Sequence, residues 1–204
     1  MADIGIMGGT FDPIHNGHLM LARQAYQEYN LDKIWFMPSR NPPHKKDHTV
    51  TDAALRCHMV QLAISEYPEF QLSDFEIHRE GNTYTAETLR LLHIQYPNHR
   101  FFFIIGADSL YEIEEWFHPE LVLKQAVILV AGREYSGNIR SMDEQISYLK
   151  QKYPSDIRLL HCQEMNISSK ELRKMAAEKK EISHEVPGSV AQYIKQNGLY
   201  QESF

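Results

Sequence analysis

Residues 3–18 of this 204-residue chain read DIGIMGGTFDPIHNGH, a short apolar run followed by a glycine pair and two histidines. The run Asp3–Met7 predicts a buried β-strand, because it is almost continuously apolar. Beyond the histidines, Leu19, Ala22 and Tyr26 recur at helical spacing, so we expect a helix to begin near Asn16. The stretch therefore predicts a strand, a tight turn and a helix, with polar side chains concentrated at the turn.

The same alternation continues to the end of the chain. Further strands are predicted at residues 33–37, 70–77, 100–105, 126–131 and 157–161, with apolar stripes of helical spacing between them. Strand–helix–strand units imply right-handed crossovers and a parallel sheet between layers of helices. We therefore expect one α/β domain over residues 1–204, with a Rossmann-like, mostly parallel sheet and a mainly helical C-terminal portion from about residue 163.

Composition narrows the class of protein. Hydrophobic residues make up 43% of the chain and charged residues 24%, which is typical of a globular domain. The formal net charge of -6 disfavours a general nucleic-acid binder, which would usually be basic. Apolar runs are far shorter than the roughly 20 residues of a membrane helix, and no secretory signal is visible at the start. These features predict no nucleic-acid partner and no membrane association.

The two cysteines, Cys57 and Cys162, lie far apart and form no CxxC pair. They offer no disulfide framework and no thiolate zinc site, and they suit a reducing compartment. We therefore expect a cytoplasmic protein.

The turn at residues 8–18 has several features of a phosphate-binding site. Gly8 and Gly9 allow close approach of the backbone, and the following helix start offers unpaired N–H groups at the positive end of its dipole. His15 and His18 are three residues apart, so both rings can lie on one face and donate hydrogen bonds to phosphate oxygens in a transition state. A turn with two surface histidines is the alternative, and the coincidence with the glycines and the strand exit disfavours it.

A second segment with similar chemistry is ISSKELR at residues 167–173. Ser168 is placed to cap a helix, and Arg173 lies about one turn further, where its planar fork could hold two phosphate oxygens. The first segment resembles the signature of the HxGH nucleotidyltransferase superfamily, and the second resembles its partner motif, Ile-Ser-Ser-x-x-x-Arg. This chain departs from the common pattern at Lys170 and Leu172, where the superfamily often has Thr and Ile.

Shorter motifs elsewhere in the sequence indicate which family within the superfamily the chain resembles. They are PPHK at 42–45, NTYT at 82–85, GAD at 106–108, Trp116 and the final stretch 186–200. Together they resemble the bacterial-type nicotinate mononucleotide adenylyltransferases over residues 4–200. That resemblance implies a nucleotidyltransferase-type fold and the transfer of AMP from ATP to nicotinate mononucleotide, giving nicotinate adenine dinucleotide and pyrophosphate.

The resemblance also implies site residues. Catalysis is expected from His15, His18 and Arg173. The expected ATP-binding residues are Gly8, Gly9, Thr10, Phe11, His15, His18, Ile167, Ser168, Ser169 and Arg173. The expected mononucleotide-binding residues are His44, Lys45, Tyr84, Thr85, Gly106, Asp108 and Trp116. Mg²⁺ is expected to arrive with ATP, coordinated mainly by phosphate and water, with no metal site built from protein side chains.

Other functions stay open at this point. The acceptor could be phosphopantetheine, a flavin mononucleotide or a phosphorylated alcohol, as in other members of the superfamily. A nucleotide sensor that binds without turnover is an alternative of a different class. The sequence leaves the oligomeric state open, with a homodimer among the alternatives, and it leaves open the preference for nicotinate over nicotinamide mononucleotide.

Overall fold

The computed structural model describes residues 1–40, 50–132, 140–162 and 167–201. Within these ranges, six parallel strands form one sheet: β1 (Asp3–Gly9), β2 (Lys33–Pro38), β3 (Phe70–Leu72), β4 (Arg100–Ile105), β5 (Val127–Ala131) and β6 (Asp156–Leu160). Their order across the sheet is β3-β2-β1-β4-β5-β6. The expected Rossmann-like, parallel α/β architecture is confirmed.

Eight α-helices occur in the described ranges: α1 (Asn16–Glu28), α2 (Ala53–Ile64), α3 (Thr85–Gln95), α4 (Ala107–Tyr111), α5 (Pro119–Gln125), α6 (Met142–Lys152), α7 (Ser169–Ala177) and α8 (Gly188–Gln196). Their starts follow local chemistry. Ser141 caps α6 with a reciprocal pair of bonds, in which its hydroxyl accepts from the Glu144 N–H and the Glu144 carboxylate accepts from the Ser141 N–H. This capping box and the start of α1 at Asn16 agree with the spacing of the sequence.

The sheet has apolar side chains on both faces. In β4, Phe102 and Ile104 pack into the core layer that also holds α1, α2 and α8 side chains, whereas Phe103 and Ile105 pack into the layer of α3 and α5. All four are buried. A strand covered on both faces has no solvent side, which explains its continuous apolar run.

One strand is shorter than its apolar pattern predicts. The expected strand 70–77 ends at Leu72, and only the Ser73 N–H extends the ladder, donating to the Phe36 carbonyl oxygen at 2.8 Å. The next residues form turns instead, in which the N–H groups of Ile77 and Arg79 donate to the carbonyl oxygens of Asp74 and Glu76. Local backbone hydrogen bonds therefore replace strand pairing at the edge of the sheet.

The described part of the C-terminal portion contains α7 and α8. Leu172, Val186, Val190 and Ile194 from this portion are buried in the same core layer as α1 and α2. None of the helices in the described ranges has the length and apolar character needed to cross a membrane.

Candidate active site

A cavity of about 530 Å³ opens at the carboxyl ends of the strands. It lies between β1 and β4, where the strand order reverses. Residues at the carboxyl ends of both strands form part of its walls. Its lining residues include Gly8, Gly9, Thr10, His15, Gly17, His18, Ser39, Glu76, Thr83, Tyr84, Thr85, Phe103, Gly106, Ala107, Asp108, Trp116, Phe117, Gly132, Cys162 and Ile167. The volume is in the range of small-molecule sites.

The two histidines of the first motif form a stacked pair in this cavity. Their ring centroids lie 3.7 Å apart with an angle of 28° between the planes. The backbone N–H of His15 donates to Nδ1 of His18 at 3.2 Å, so a neutral His18 ring carries its proton on Nε2. Phe11 packs edge-on against His18, with centroids 5.0 Å apart. The ring of His18 is therefore held with a defined tautomer.

His15 caps α1 and is only 7% exposed. Burial lowers its pKa to about 4, so the ring is neutral near pH 7. Its buried Nδ1 has no hydrogen-bond partner among the described residues. A Cβ atom on Gly17 would lie 3.1 Å from this nitrogen, so the glycine leaves the ring its space. The neutral ring lines the cavity and has the capacity to donate or accept a hydrogen bond there.

Phe11 is placed behind the cavity rather than in its lining. Its ring is buried and packs against Phe36 as well as His18, with its backbone at a φ of 51°. A Cβ atom on Gly9 would lie 3.2 Å from this ring, so the glycine allows the close packing. The first motif thus supplies Gly8, Gly9 and Thr10 to the wall and Phe11 to its support.

The second motif contacts the first directly. Arg173 Nη1 donates to the Asp12 carbonyl oxygen at 2.7 Å, across 161 residues of chain, and Ser169 Oγ donates to the Pro13 carbonyl oxygen at 2.9 Å. Ser168 caps α7 as expected, its hydroxyl accepting from the Glu171 N–H. Ile167 lines the cavity, whereas Ser169 and Arg173 lie outside its lining, against the loop that leads to His15.

The remaining predicted residues fall into two groups. Tyr84, Thr85, Gly106, Asp108 and Trp116 all line the cavity. His44 and Lys45 lie outside the described residues. Trp116 packs edge-on against Phe103 at 6.3 Å, and Tyr84 stacks on the half-exposed Phe117 at 4.4 Å. This end of the cavity therefore presents aromatic faces together with the N-terminus of α3.

The charge of the described lining is unexpected for anionic ligands. It includes the carboxyl groups of Glu76 and Asp108 but no Lys or Arg side chain from the described ranges. Within the described lining, attraction for phosphate therefore comes from backbone N–H groups at helix starts and from the histidines, and Arg173 lies beside it. The described residues also contain no group of three or more His, Cys, Asp or Glu side chains placed to hold a metal ion.

Sequence reasoning missed a buried arginine that supports the site. Arg56 is 1% exposed, and its guanidinium donates to the carbonyl oxygens of Thr10 at 2.6 Å and Thr51 at 2.8 Å. Burial lowers its pKa, and the nearby Asp12 opposes this effect. Its helical spacing from Met59 and Val60 was the available indication, since the three share the buried face of α2.

Sequence reasoning also missed a buried carboxyl group in the cavity wall. Glu76 is 9% exposed, and its Oε1 accepts a hydrogen bond of 2.6 Å from the hydroxyl of Thr88. Burial raises its pKa, while Thr88, Thr83 and Arg79 lower it. Thr83 also lines the cavity, is 6% exposed and has a buried hydroxyl. The polar corner formed by Glu76 and Thr83 was hidden within the predicted long strand and its following turn.

Comparison with known proteins places these features in context. The family model described as cytidylyltransferase-like matches residues 6–175. A probable nicotinate-nucleotide adenylyltransferase of Lachnoclostridium phytofermentans is 44% identical over 200 residues, covering 98% of this chain and 100% of the relative. The nicotinate-nucleotide adenylyltransferase of Bacillus subtilis is 38% identical over 201 residues, covering 98% and 100% of the two chains.

Solved structures support the fold. The nicotinic acid mononucleotide adenylyltransferase of Plasmodium falciparum aligns with a TM-score of 0.81 in a complex with APC and 0.82 in a complex with NaAD. Both alignments have 23% sequence identity and cover 100% of this chain and 99% of the other. At this identity the likeness establishes the shared architecture of the sheet and helices.

Proposed function

The chain belongs to the cytidylyltransferase-like family. From its full-length relatives, we infer that it is a nicotinate-nucleotide adenylyltransferase. It transfers AMP from ATP to nicotinate mononucleotide, a step of NAD biosynthesis. The observation that carries this conclusion is the full-length relationship to enzymes of that name, joined to a cavity whose two ends carry different chemistry. One end has the glycine–histidine turn, and the other has aromatic faces and a helix start.

The reaction joins two phosphates. An oxygen of the mononucleotide phosphate attacks the α-phosphorus of ATP, the bond from that phosphorus to the bridging oxygen breaks, and pyrophosphate leaves. The nucleophile is already an anion, so the enzyme needs no general base. Catalysis consists of positioning and charge stabilisation, as in other phosphoryl-type transfers.

At the ATP end, we assign His18 to the α-phosphate. Its Nδ1 is occupied by the His15 N–H, which directs the ring proton on Nε2 to another partner. Gly8, Gly9 and Thr10 offer backbone N–H groups, with Phe11 behind them. Ser168, Ser169 and Arg173 are assigned to the β- and γ-phosphates, a role supported by the contact of Arg173 with the loop before His15, and Ile167, which lines the cavity, is assigned to ATP binding.

At the acceptor end, Trp116 is assigned to stack on the pyridine ring, which its place in the lining supports. Tyr84 and Thr85 begin α3, whose unpaired N–H groups suit the pyridine carboxylate. Gly106 and Asp108, after β4, are assigned to the ribose or the ring edge. His44 and Lys45 are assigned by the family resemblance alone to the incoming phosphate.

We assign Mg²⁺ to the nucleotide substrate, entering as Mg–ATP, because Mg²⁺ is commonly held by substrate phosphates and water. A cytoplasmic location is proposed from the two cysteines, which are free thiols in the structure and stable in a reducing compartment. The oligomeric state is left to direct measurement by sedimentation.

The decisive experiment is an acceptor panel. The purified protein is incubated with ATP and Mg²⁺ and, in turn, nicotinate mononucleotide, nicotinamide mononucleotide, phosphopantetheine or flavin mononucleotide, and pyrophosphate release is followed. We expect the fastest release with nicotinate mononucleotide, together with a dinucleotide product detected by chromatography. Faster release with phosphopantetheine or the flavin would identify a different transferase, and binding of ATP without release would identify a nucleotide sensor.

A further inference from the structure

A chain of three polar side chains lies behind the acceptor end of the cavity. Arg79 Nη1 donates to Thr88 Oγ1 at 2.6 Å, and the same hydroxyl donates to Glu76 Oε1 at 2.6 Å. Thr88 is 1% exposed and is not part of the cavity lining, whereas Glu76 is. One hydroxyl thus links a buried carboxyl group in the wall to a guanidinium outside it.

These two hydrogen bonds connect segments that lie apart in the sequence. Glu76 and Arg79 belong to the turns after β3, and Thr88 lies in the first turn of α3. The helix begins at Thr85, and the Thr88 N–H donates to the Tyr84 carbonyl oxygen at 3.0 Å. Thr88 is therefore bonded both to the turns after β3 and to the segment 83–85, which lines the cavity.

The hydrogen-bonded group of Glu76, Thr88 and Arg79 also affects the charge of the cavity wall. A buried carboxylate in the wall repels an anionic acceptor, and its burial is costly unless it is hydrogen-bonded. Thr88 satisfies one oxygen of Glu76, and the positive charge of Arg79 lies next in the chain. The Thr88 contact therefore holds the carboxyl group in one orientation in the wall, and the guanidinium of Arg79 offsets its negative charge.

We propose that Glu76, Thr88 and Arg79 form a positioning network that orients residues 83–85 for binding of the mononucleotide acceptor. The proposal rests on the proposed function, since it assigns the network to the acceptor half of that reaction. Thr88 acts only through its neighbours, because it does not line the cavity. Its removal should affect acceptor binding and leave ATP binding unchanged.

The test compares Thr88→Val, which removes the hydroxyl at nearly constant volume, with Thr88→Ser, which keeps it. We expect Thr88→Val to raise KM for nicotinate mononucleotide roughly five-fold, the scale of one lost buried hydrogen bond, with KM for ATP and kcat close to the parent values. Thr88→Ser should restore the acceptor KM. An unchanged acceptor KM in Thr88→Val, an equal rise in both KM values, or equal defects in both variants would overturn the proposal.

A second variant guards against misfolding of Thr88→Val. Arg79→Met removes the donor to Thr88 at a half-buried position outside the cavity lining, where a substitution disturbs the core less than one at the buried Thr88. It should also raise the acceptor KM selectively, and parent-like values would count against the network. Failure of the parent enzyme to use nicotinate mononucleotide would instead refute the proposed function, so the two failures are distinguishable.

Discussion

Tyr200 Oη donates a hydrogen bond of 2.7 Å to Asp12 Oδ1, although 188 residues separate the two along the chain. Tyr200 is 5% exposed and Asp12 is 1% exposed. The other carboxylate oxygen of Asp12 accepts from the Thr51 N–H at 3.3 Å, and its backbone carbonyl accepts from Arg173. The loop that leads to His15 is thus fastened to the C-terminal segment, to the start of α2 and to α7.

The first prediction concerns this fastening. Tyr200→Phe removes only the hydroxyl, and with it one hydrogen bond to the buried carboxylate of Asp12. We expect KM for ATP to rise about ten-fold, because Arg173 and the loop before His15 lose a shared support, while KM for the acceptor stays near the parent value. Steady-state kinetics with each substrate varied in turn measures both constants.

Tyr29→Phe is the matched control for that measurement. Tyr29 Oη also donates a 2.7 Å hydrogen bond, to the Leu159 carbonyl oxygen, and neither residue lines the cavity or contacts Asp12 through this bond. This variant should keep the KM for ATP of the parent. Similar defects in the two variants would mean that the effect is one of general stability and that the Asp12 contact has no special role.

The second prediction concerns His18. Its replacement by Ala removes a fixed donor to the charge that develops on the transferred phosphate, and turnover should fall by about two orders of magnitude or more. His58→Ala, at an exposed position where the ring contacts Tyr193, provides the control. Near-normal kcat in His18→Ala would remove this residue from the mechanism.

The third prediction is a pH dependence of stability. Burial lowers the pKa of His15 from 6.5 to about 4, so between these values the unfolded chain binds a proton that the folded chain does not. The contribution of His15 to the free energy of unfolding is therefore lost as the pH falls through this window, by up to about 3 kcal/mol.

His15→Asn isolates that contribution, because Asn does not titrate and is itself a favourable N-cap. Urea unfolding at several pH values between about 7 and 4 should show a steeper loss of stability in the parent than in the variant. Parallel curves would show that His15 titrates alike in the folded and unfolded states.

The fourth prediction concerns stacking. Trp116→Ala should raise KM for nicotinate mononucleotide about ten-fold, the scale of one lost stacking contact, and Trp116→Phe should recover much of it. The chain has two tryptophans, so Trp35→Phe leaves Trp116 as the sole indole reporter. Its fluorescence should change on titration with the mononucleotide, and a silent titration in a protein that still turns over would argue against contact with the ring.

Local patterns were sufficient for the strands, apart from the length of β3, for the longer helices and for the first motif. Near-continuous apolar runs locate β4 and β5 because strands covered on both faces carry apolar side chains at every position. The spacing of His15 and His18 places both rings on one side of the helix start, and the structure stacks them. The same reasoning wrongly extended the third strand over residues 73–77, because apolar residues in turns at a sheet edge resemble a strand in composition.

Buried polar residues were the main failure. Arg56 shares the buried face of α2 with the apolar Met59 and Val60, and Glu76 lies within the segment 70–77 that was predicted to be a strand. A charged residue is almost never buried without partners, so its sequence position alone argues for solvent exposure. Only the carbonyl oxygens that meet Arg56 and the hydroxyl that meets Glu76 make their burial possible.

The sequence by itself determined a parallel α/β domain, the turn of glycines and histidines at the end of the first strand, and the capped start of α7. The tertiary structure alone decided that Asp12, Arg173 and Tyr200 meet, and that Glu76 and Thr88 brace the opposite end of the cavity. The physical reason is the separation along the sequence of the residues that interact. Periodicity and capping depend on neighbours within a few residues, whereas these contacts depend on strand order and on how the helices pack across the sheet.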